Sequence, residues 1–234
     1  MIERVLEPEV MDTVEEASDY DAMDHSEVNG RFCDDFIGFL GPDRASAALE
    51  VLDVGTGTAR IPVLVATRLT SARVLGIDLS REMLAIAMKN VAAAGLSSRV
   101  SLATEDAKKI PRADGAFGAV ICNTILHHIP GPGDALREML RLVGRGGALF
   151  VRDLARPGSQ AEVAALVAEH GGAPPTREPA VVAAHERQRA LFEASLVAAL
   201  TLEEVRALVV PLGIPAGAAV MTSDRHWTLA HTKS

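Results

Sequence analysis

Residues 51–60 read Val51-Leu52-Asp53-Val54-Gly55-Thr56-Gly57-Thr58-Ala59-Arg60. Residues 49–54 form an apolar strand signal that runs into two glycines one residue apart. Residues 58–69 then read as a helix, with Pro62 in its first turn, where a missing N–H does little harm. Glycines at a strand-to-helix turn permit a tight bend and let a ligand approach the backbone closely. The free N–H groups that open the helix favour an anionic group.

Working outward, strand and helix signals alternate. Residues 73–77 form a second strand. Ser80 caps a helix that runs to about residue 94, and Gly95 stops it. Residues 100–103 and 119–122 are the third and fourth strands, the latter after a turn-rich stretch at 111–118. A helix spans 133–143, and Gly146-Gly147 leads into a fifth strand at 148–152. This alternation predicts βαβ units, a parallel sheet and right-handed crossovers. Residues 157–170 and 181–200 look helical, separated by the breaker-rich 171–179. Thr201 caps a helix over 202–210. Residues 218–222 and 226–230 read as two strands joined by Ser223-Asp224-Arg225, a link short enough to require an antiparallel hairpin.

The ends of the chain differ in charge. Residues 1–43 hold 13 acids and only Arg4 and Arg31 as bases, a net of −11, against −8 for the whole chain and +3 for the remainder. An acidic chain without a basic stripe is a poor match to nucleic-acid phosphates. Residues 1–30 are weakly periodic and read either as a solvated acidic arm or as a cover over a site. Phe32, Phe36, Phe39 and Leu40 share one helical face within 31–40, and Gly41-Pro42 is expected to end that helix. The chain therefore divides into an arm of lid helices (1–45) and a single ligand-binding domain (46–234). Cys33 and Cys122 stand alone, so neither a disulfide framework nor a zinc site is indicated, and no metal is expected. No apolar run approaches the ~18 residues of a membrane span, and no secretory signal is read at Met1-Ile2-Glu3-Arg4. The expected location is cytoplasmic.

The second strand ends in Gly76-Ile77-Asp78, which places Asp78 21 residues past Gly57. That separation suits a carboxylate accepting from ribose hydroxyls. A nicotinamide dinucleotide normally requires a third glycine at position 60, where Arg60 would crowd helix–strand packing. A nucleoside ligand without phosphate tolerates the arginine better. Its adenine would lie against Leu79, and its N6 would donate to a carboxylate after the third strand, with Asp106 of Glu105-Asp106-Ala107 the preferred partner.

Three segments resemble the class I S-adenosylmethionine (SAM)-dependent methyltransferases: 51–58, 74–84 and Asn123-Thr124-Ile125-Leu126-His127-His128-Ile129-Pro130. The family's Arg-x-Leu-x-Pro-Gly-Gly segment is matched loosely by 141–147, with Arg145 where proline is usual. The resemblance covers about 30–155 and is strongest to the small-molecule branch that includes ubiquinone/menaquinone-biosynthesis methyltransferases. It implies a Rossmann-like, mostly parallel seven-stranded sheet of order 3-2-1-4-5-7-6, with helices on both faces and an antiparallel C-terminal strand. It further implies that Asp53, Gly55, Thr56 and Gly57 line the methionine moiety, that Asp78 and Leu79 hold the ribose and adenine with Asp106 and Ala107, and that Asn123 lies beside the sulfonium. The product would be S-adenosylhomocysteine.

The substrate side is less determined. His127 and His128 follow the fourth strand, and either imidazole is a candidate general base; the alternative is that they pack and bond within the loop. Arg152 and Arg156 are candidates for holding an anionic group or for pairing with the acidic arm. Arg225 and Trp227 are candidates for closing the pocket, or Trp227 for the core. Tyr20, His25, Asn29 and Arg31 are the arm's candidates for contact with the site. The expected activity is methyl transfer from SAM to a small molecule. RNA or protein methylation and a non-catalytic SAM-binding role are the alternatives.

Overall fold

A computed structural model describes residues 2–7, 13–174 and 176–234. The arm's residues 1 and 8–12, and Pro175 of the breaker-rich stretch, lie outside the described residues. The sheet contains β1 (Glu50–Val54), β2 (Arg73–Asp78), β3 (Val100–Thr104), β4 (Phe117–Asn123), β5 (Val143–Leu154), β6 (Ala219–Met221) and β7 (His226–Thr232). Its order is β3-β2-β1-β4-β5-β7-β6. Strands β1 to β5 pair in parallel, and β7 pairs antiparallel with both β5 and β6. This is the order implied by the resemblance.

Burial on both faces follows from alternation along the central strands. Val120 and Cys122 of β4 and Leu149 and Val151 of β5 face one core, which holds Ala135, Leu136 and Met139 of α5 (Pro132–Leu142) and Val205 and Val209 of α8 (Leu202–Val209). Ala119, Ile121, Ala148 and Phe150 face the other. There they meet Phe32, Phe36 and Leu40 of α2 (Ser26–Ser46), Ile61 and Val65 of α3 (Arg60–Arg68), and Ala87 and Val91 of α4 (Arg81–Ala93). A residue that packs a parallel sheet on two sides reads as a nearly unbroken aliphatic run, as β4 and β5 do. A smaller cluster joins Leu154 to Val163 and Val167 of α6 (Gln160–His170) and Leu196 of α7 (Pro179–Ala198).

Residues 13–21, weakly periodic in the sequence, form a helix: Thr13 caps α1 (Val14–Asp21), its hydroxyl accepting from the Glu16 N–H while the Glu16 carboxylate accepts from the Thr13 N–H. That reciprocal capping box supplies two of the helix's unpaired N–H partners. The first helical stretch of α2 ends at Gly41-Pro42 as expected, with Gly41 non-helical at φ 74°, and a second stretch runs on to Ser46. Pro42 thereby opens a new turn, where its missing N–H costs nothing. Strand β5 starts five residues earlier than expected, because Val143 already pairs with Phe117 of β4, ahead of a register shift that takes in the glycines.

Candidate functional site

The carboxyl ends of β1, β2 and β4 converge on one cavity of about 500 Å³, lined by Asp53, Gly55, Gly57, Asp78 and Asn123 among others. At the tip of β1 the chain turns sharply. The N–H groups of Gly55 and Thr56 both donate to the carbonyl of Ile77, each at 2.9 Å. Gly55 (φ 73°) and Gly57 (φ 52°) hold left-handed backbone that glycine adopts without a steric penalty. The Gly57 N–H donates to Asp78 Oδ2 at 2.8 Å, and the Ser80 N–H donates to Asp78 Oδ1 at 2.9 Å. Asp78 is thus held rigidly by backbone while each oxygen keeps further acceptor capacity.

Asp53 is 2% exposed, and its Oδ2 accepts from the Thr56 hydroxyl at 2.7 Å. Burial pushes its carboxyl up to about 7; the Thr56 hydrogen bond opposes this and the Asp78 charge adds to it. Asp78 is also raised, mainly by burial and against the pull of its backbone donors. Two buried acids facing one cavity form a ready site for a ligand bearing positive charge and hydroxyls. Leu79, Glu105, Asp106 and Ala107 line the neighbouring wall. The Asp106 carboxylate accepts from the Lys108 N–H at 2.9 Å, while Glu105 pairs with Arg112 at 2.5 Å.

The β4 end contributes Asn123, Thr124, Ile125, His128 and Ile129 to the cavity. Thr124 adopts φ 56°, an unusual conformation for a β-branched residue, and its N–H donates to the Arg152 carbonyl at 2.8 Å. Strain of this kind persists only where surrounding contacts fix it, which is common beside functional sites. His127 faces away. It is 3% exposed, its Nδ1 lies 2.6 Å from Asp153 Oδ1, and its N–H donates to Asp153 Oδ2. Burial opposes its protonation, but Asp153 and Glu7 outweigh burial and leave the imidazole more basic than usual.

The arm closes the cavity. Tyr20, Met23, His25 and Asn29 line it, and the Tyr20 and His25 rings lie 5.2 Å apart, centroid to centroid. Burial and the charges of Asp78, Asp53 and Asp21 push the Tyr20 phenol up to about 12. Asp21 latches α1 in place: Arg60 donates to both its oxygens, at 3.1 and 3.0 Å, and Asn90 donates to Oδ1 at 3.1 Å. Arg60, which departs from a third glycine, is therefore the arm's anchor. Exposed pairs of this kind are worth ~1 kcal/mol or less. Asp21→Asn is accordingly expected to leave global stability almost unchanged while raising protease cleavage of the arm several-fold. Cleavage at the wild-type rate would show that other contacts hold the arm.

Five sequence candidates lie elsewhere. Arg152 donates to Thr228 Oγ1 at 2.8 Å and pairs with Asp35 at 2.5 Å, tying α2 to the sheet. Arg156 pairs with Glu204 at 2.6 Å and donates to the Ala199 carbonyl. Arg225 contacts His170 and Asp224 at the hairpin. Trp227 is fully buried in the core, and Arg31 pairs with Glu27 on the exposed face of α2. All five belong to the structural framework and none lines the cavity. Conversely, Met23, Asp21, Thr124 and Ile125 line the cavity without having been read as site residues.

A seven-stranded sheet of this order, with a glycine-rich turn after β1 and acids at the tips of β1 and β2, defines the class I SAM-dependent methyltransferase fold. Residues 51–147 match the family described as "Methyltransferase domain". Among curated proteins, the chain is similar to Methyltransferase GfsG of Streptomyces halstedii, 36% identical over 124 residues, or 53% of this chain and 44% of that one. It is also similar to the demethylmenaquinone methyltransferase of Bacteroides fragilis, 30% identical over 121 residues, or 52% of this chain and 48% of that one. The aligned part spans less than half the length of either relative. Among solved structures, a SAM-dependent methyltransferase from Aquifex aeolicus superposes with a TM-score of 0.65 at 18% identity, covering 93% of this chain and 97% of that one. No helix among the described residues is long and apolar enough to cross a membrane.

Proposed function

We propose that this chain binds SAM and transfers its methyl group to a small, largely apolar acceptor. The observation that carries this reading is the pair of buried acids, Asp53 and Asp78, at adjacent strand tips, joined through the Gly55–Gly57 turn and facing one cavity. The residues fit the cofactor. Asp53, whose burial raises its carboxyl to about 7, suits an ammonium group. Asp78 has the acceptor capacity for ribose hydroxyls, Leu79 offers an apolar wall to adenine, and Asp106 with Ala107 would meet its edge. Bound SAM would supply a methyl group already activated for displacement by an acceptor atom. The protein's part is then to align the acceptor and exclude water.

His25, Met23, His128 and Ile129 would form the acceptor side. His25 Nε2 is buried and has no hydrogen-bond partner among the described residues, so a polar group on the acceptor would satisfy it. Burial also lowers the basicity of His25. Asp24 at the cavity rim disfavours a phosphate backbone and favours a small acceptor over RNA. The relatives named for demethylmenaquinone support the same reading. Cys33 and Cys122, buried and unpaired, suit a reducing compartment such as the cytoplasm.

His128→Ala is expected to lower kcat/KM for the true acceptor by roughly 10²-fold, with the SAM Kd unchanged. Wild-type turnover in that variant would remove His128 from the acceptor side. Calorimetry with SAM and NAD side by side tests the cofactor: binding of NAD alone would overturn the proposal.

A further inference from the structure

The fold brings Glu7 to two adjacent histidines, His127 and His128, 120 residues further along the chain, a set that methyl transfer does not use as such. Glu7 Oε2 lies 3.8 Å from His127 Nε2 and 3.4 Å from His128 Nδ1. One ligating atom from each residue falls within 4.8 Å of the others. The side chains of Glu7 and His127 are only 9% and 4% exposed.

Geometry distinguishes this cluster from an ordinary ion pair. Asp153, 2.6 Å from His127 Nδ1, takes the proton-bearing nitrogen and leaves Nε2 directed to Glu7. A carboxylate that holds one imidazole nitrogen while the other meets a cation is the usual outer-shell arrangement of metal-bound histidine. Tetrahedral bonds of ~2.0–2.1 Å set neighbouring ligand atoms about 3.3 Å apart. Separations of 3.4 and 3.8 Å are closer to that spacing than to the ~2.7–3.2 Å of a direct N–H···O hydrogen bond. The charge also suits a cation: Glu7 and Asp153 both face the cluster, and the guanidinium of Arg4 spends its N–H groups on the carbonyls of Ala198, His127 and Ile129. Those bonds fix the backbone on which the cluster stands.

We propose that Glu7, His127 and His128 bind one divalent ion of the zinc class, with Asp153 orienting His127 from the outer shell. The ion would clasp segment 2–7 to the loop after β4, whose His128 lines the cavity. Coordination through Nδ1 would leave the His128 proton on Nε2 and make that ring a hydrogen-bond donor to the acceptor. The sequence expectation of no metal rests on cysteine and histidine spacing and could not include Glu7, 120 residues before His127. The other candidate cluster, Glu169, His170 and Asp224, is different: Arg225 Nη1 sits 2.8 Å from His170 Nε2 and already supplies the positive charge.

The test is titration of the chelator-treated full chain with Zn²⁺, by calorimetry, and with Co²⁺, by visible absorption. One ion per chain is expected, with cobalt bands of a low-coordinate nitrogen–oxygen site. Glu7→Gln should weaken binding at least about tenfold, while His170→Gln leaves it unchanged. Calorimetry with SAM on the same variants separates this proposal from the cofactor assignment, because neither substitution touches the cofactor wall. Absence of stoichiometric uptake by the wild-type chain would overturn the site, as would Glu7→Gln binding with wild-type affinity.

Discussion

Asp53→Asn is expected to unfold at a higher temperature than the wild type at pH 8 and to bind SAM more weakly. The unfolded chain holds this carboxyl near 3.8, while burial in the folded protein raises it to about 7. A folded-state value above the unfolded one means that the native protein binds the proton more tightly. Stability contributed by the protonated acid is therefore complete below pH 4 and is lost as pH rises through 7, above which the native state bears a buried charge. At 1.36 kcal/mol per pKa unit the penalty is on the order of a few kcal/mol. Asparagine is neutral at every pH and can still accept from the Thr56 hydroxyl. For a chain of this size ~1 kcal/mol corresponds to roughly 2–4 °C, so a gain of several degrees at pH 8 should shrink by pH 5. A constant difference across that range would show that the charge is not the cause.

The same carboxyl should couple SAM binding to pH. An ammonium group prefers the carboxylate, so binding at pH 6 must expel the Asp53 proton, and affinity should tighten as pH rises toward 8. Loss of one charged hydrogen bond is worth ~1.5–3 kcal/mol, so Asp53→Asn should weaken the Kd roughly 10- to 100-fold. Stability and function then pull in opposite directions at one residue, as expected where a site holds charge for a ligand rather than for the fold. Calorimetry in two buffers of different ionisation enthalpy reads the proton release directly.

Asp53 and Asp78 were legible in the sequence because one is the penultimate residue of β1 and the other ends β2, and each stands at a fixed distance from the glycine turn. The sheet was legible for the same reason, since aliphatic runs of strand length alternated with capped helices. What could not be read depends on contacts between distant segments. The strand-end arginines were suited either to anion binding or to pairing with the acidic arm, and only the fold selects between them: Arg152 pairs with Asp35, 117 residues away. Glu7 carries no local pattern that would place it beside His127. Helix α1 is a different case. Its capping box, Thr13 and Glu16, is a short-range signal, but the surrounding acids and the lack of an apolar face masked it. Trp227 shows the limit of reading by residue type: an indole at a hairpin is equally suited to a pocket wall and to the core, and burial chose the core.

Gly55→Ala is expected to damage fold and site together. At φ 73° an alanine pays the left-handed penalty of ~1–2 kcal/mol. Its Cβ would also lie 2.7 Å from Ile125 Cγ1 and within contact of Cγ2. Overpacking typically adds ~1–3 kcal/mol, so the midpoint should fall by roughly 5–15 °C. The shift would fall on the loop carrying Thr124 and Ile125, and the cofactor Kd should rise with it. Gly57→Ala isolates the torsional part. Its φ is also positive, at 52°, but the nearest atom to the new Cβ is a Tyr20 ring carbon at 3.8 Å. That variant should lose only ~1–2 kcal/mol. Adding Ile125→Ala to Gly55→Ala removes the obstructing branch. If steric conflict dominates, the double variant should recover cofactor affinity relative to Gly55→Ala alone, despite the cavity left by isoleucine. If the double variant binds no better, the left-handed backbone itself, rather than the space beside it, is what requires glycine at this turn.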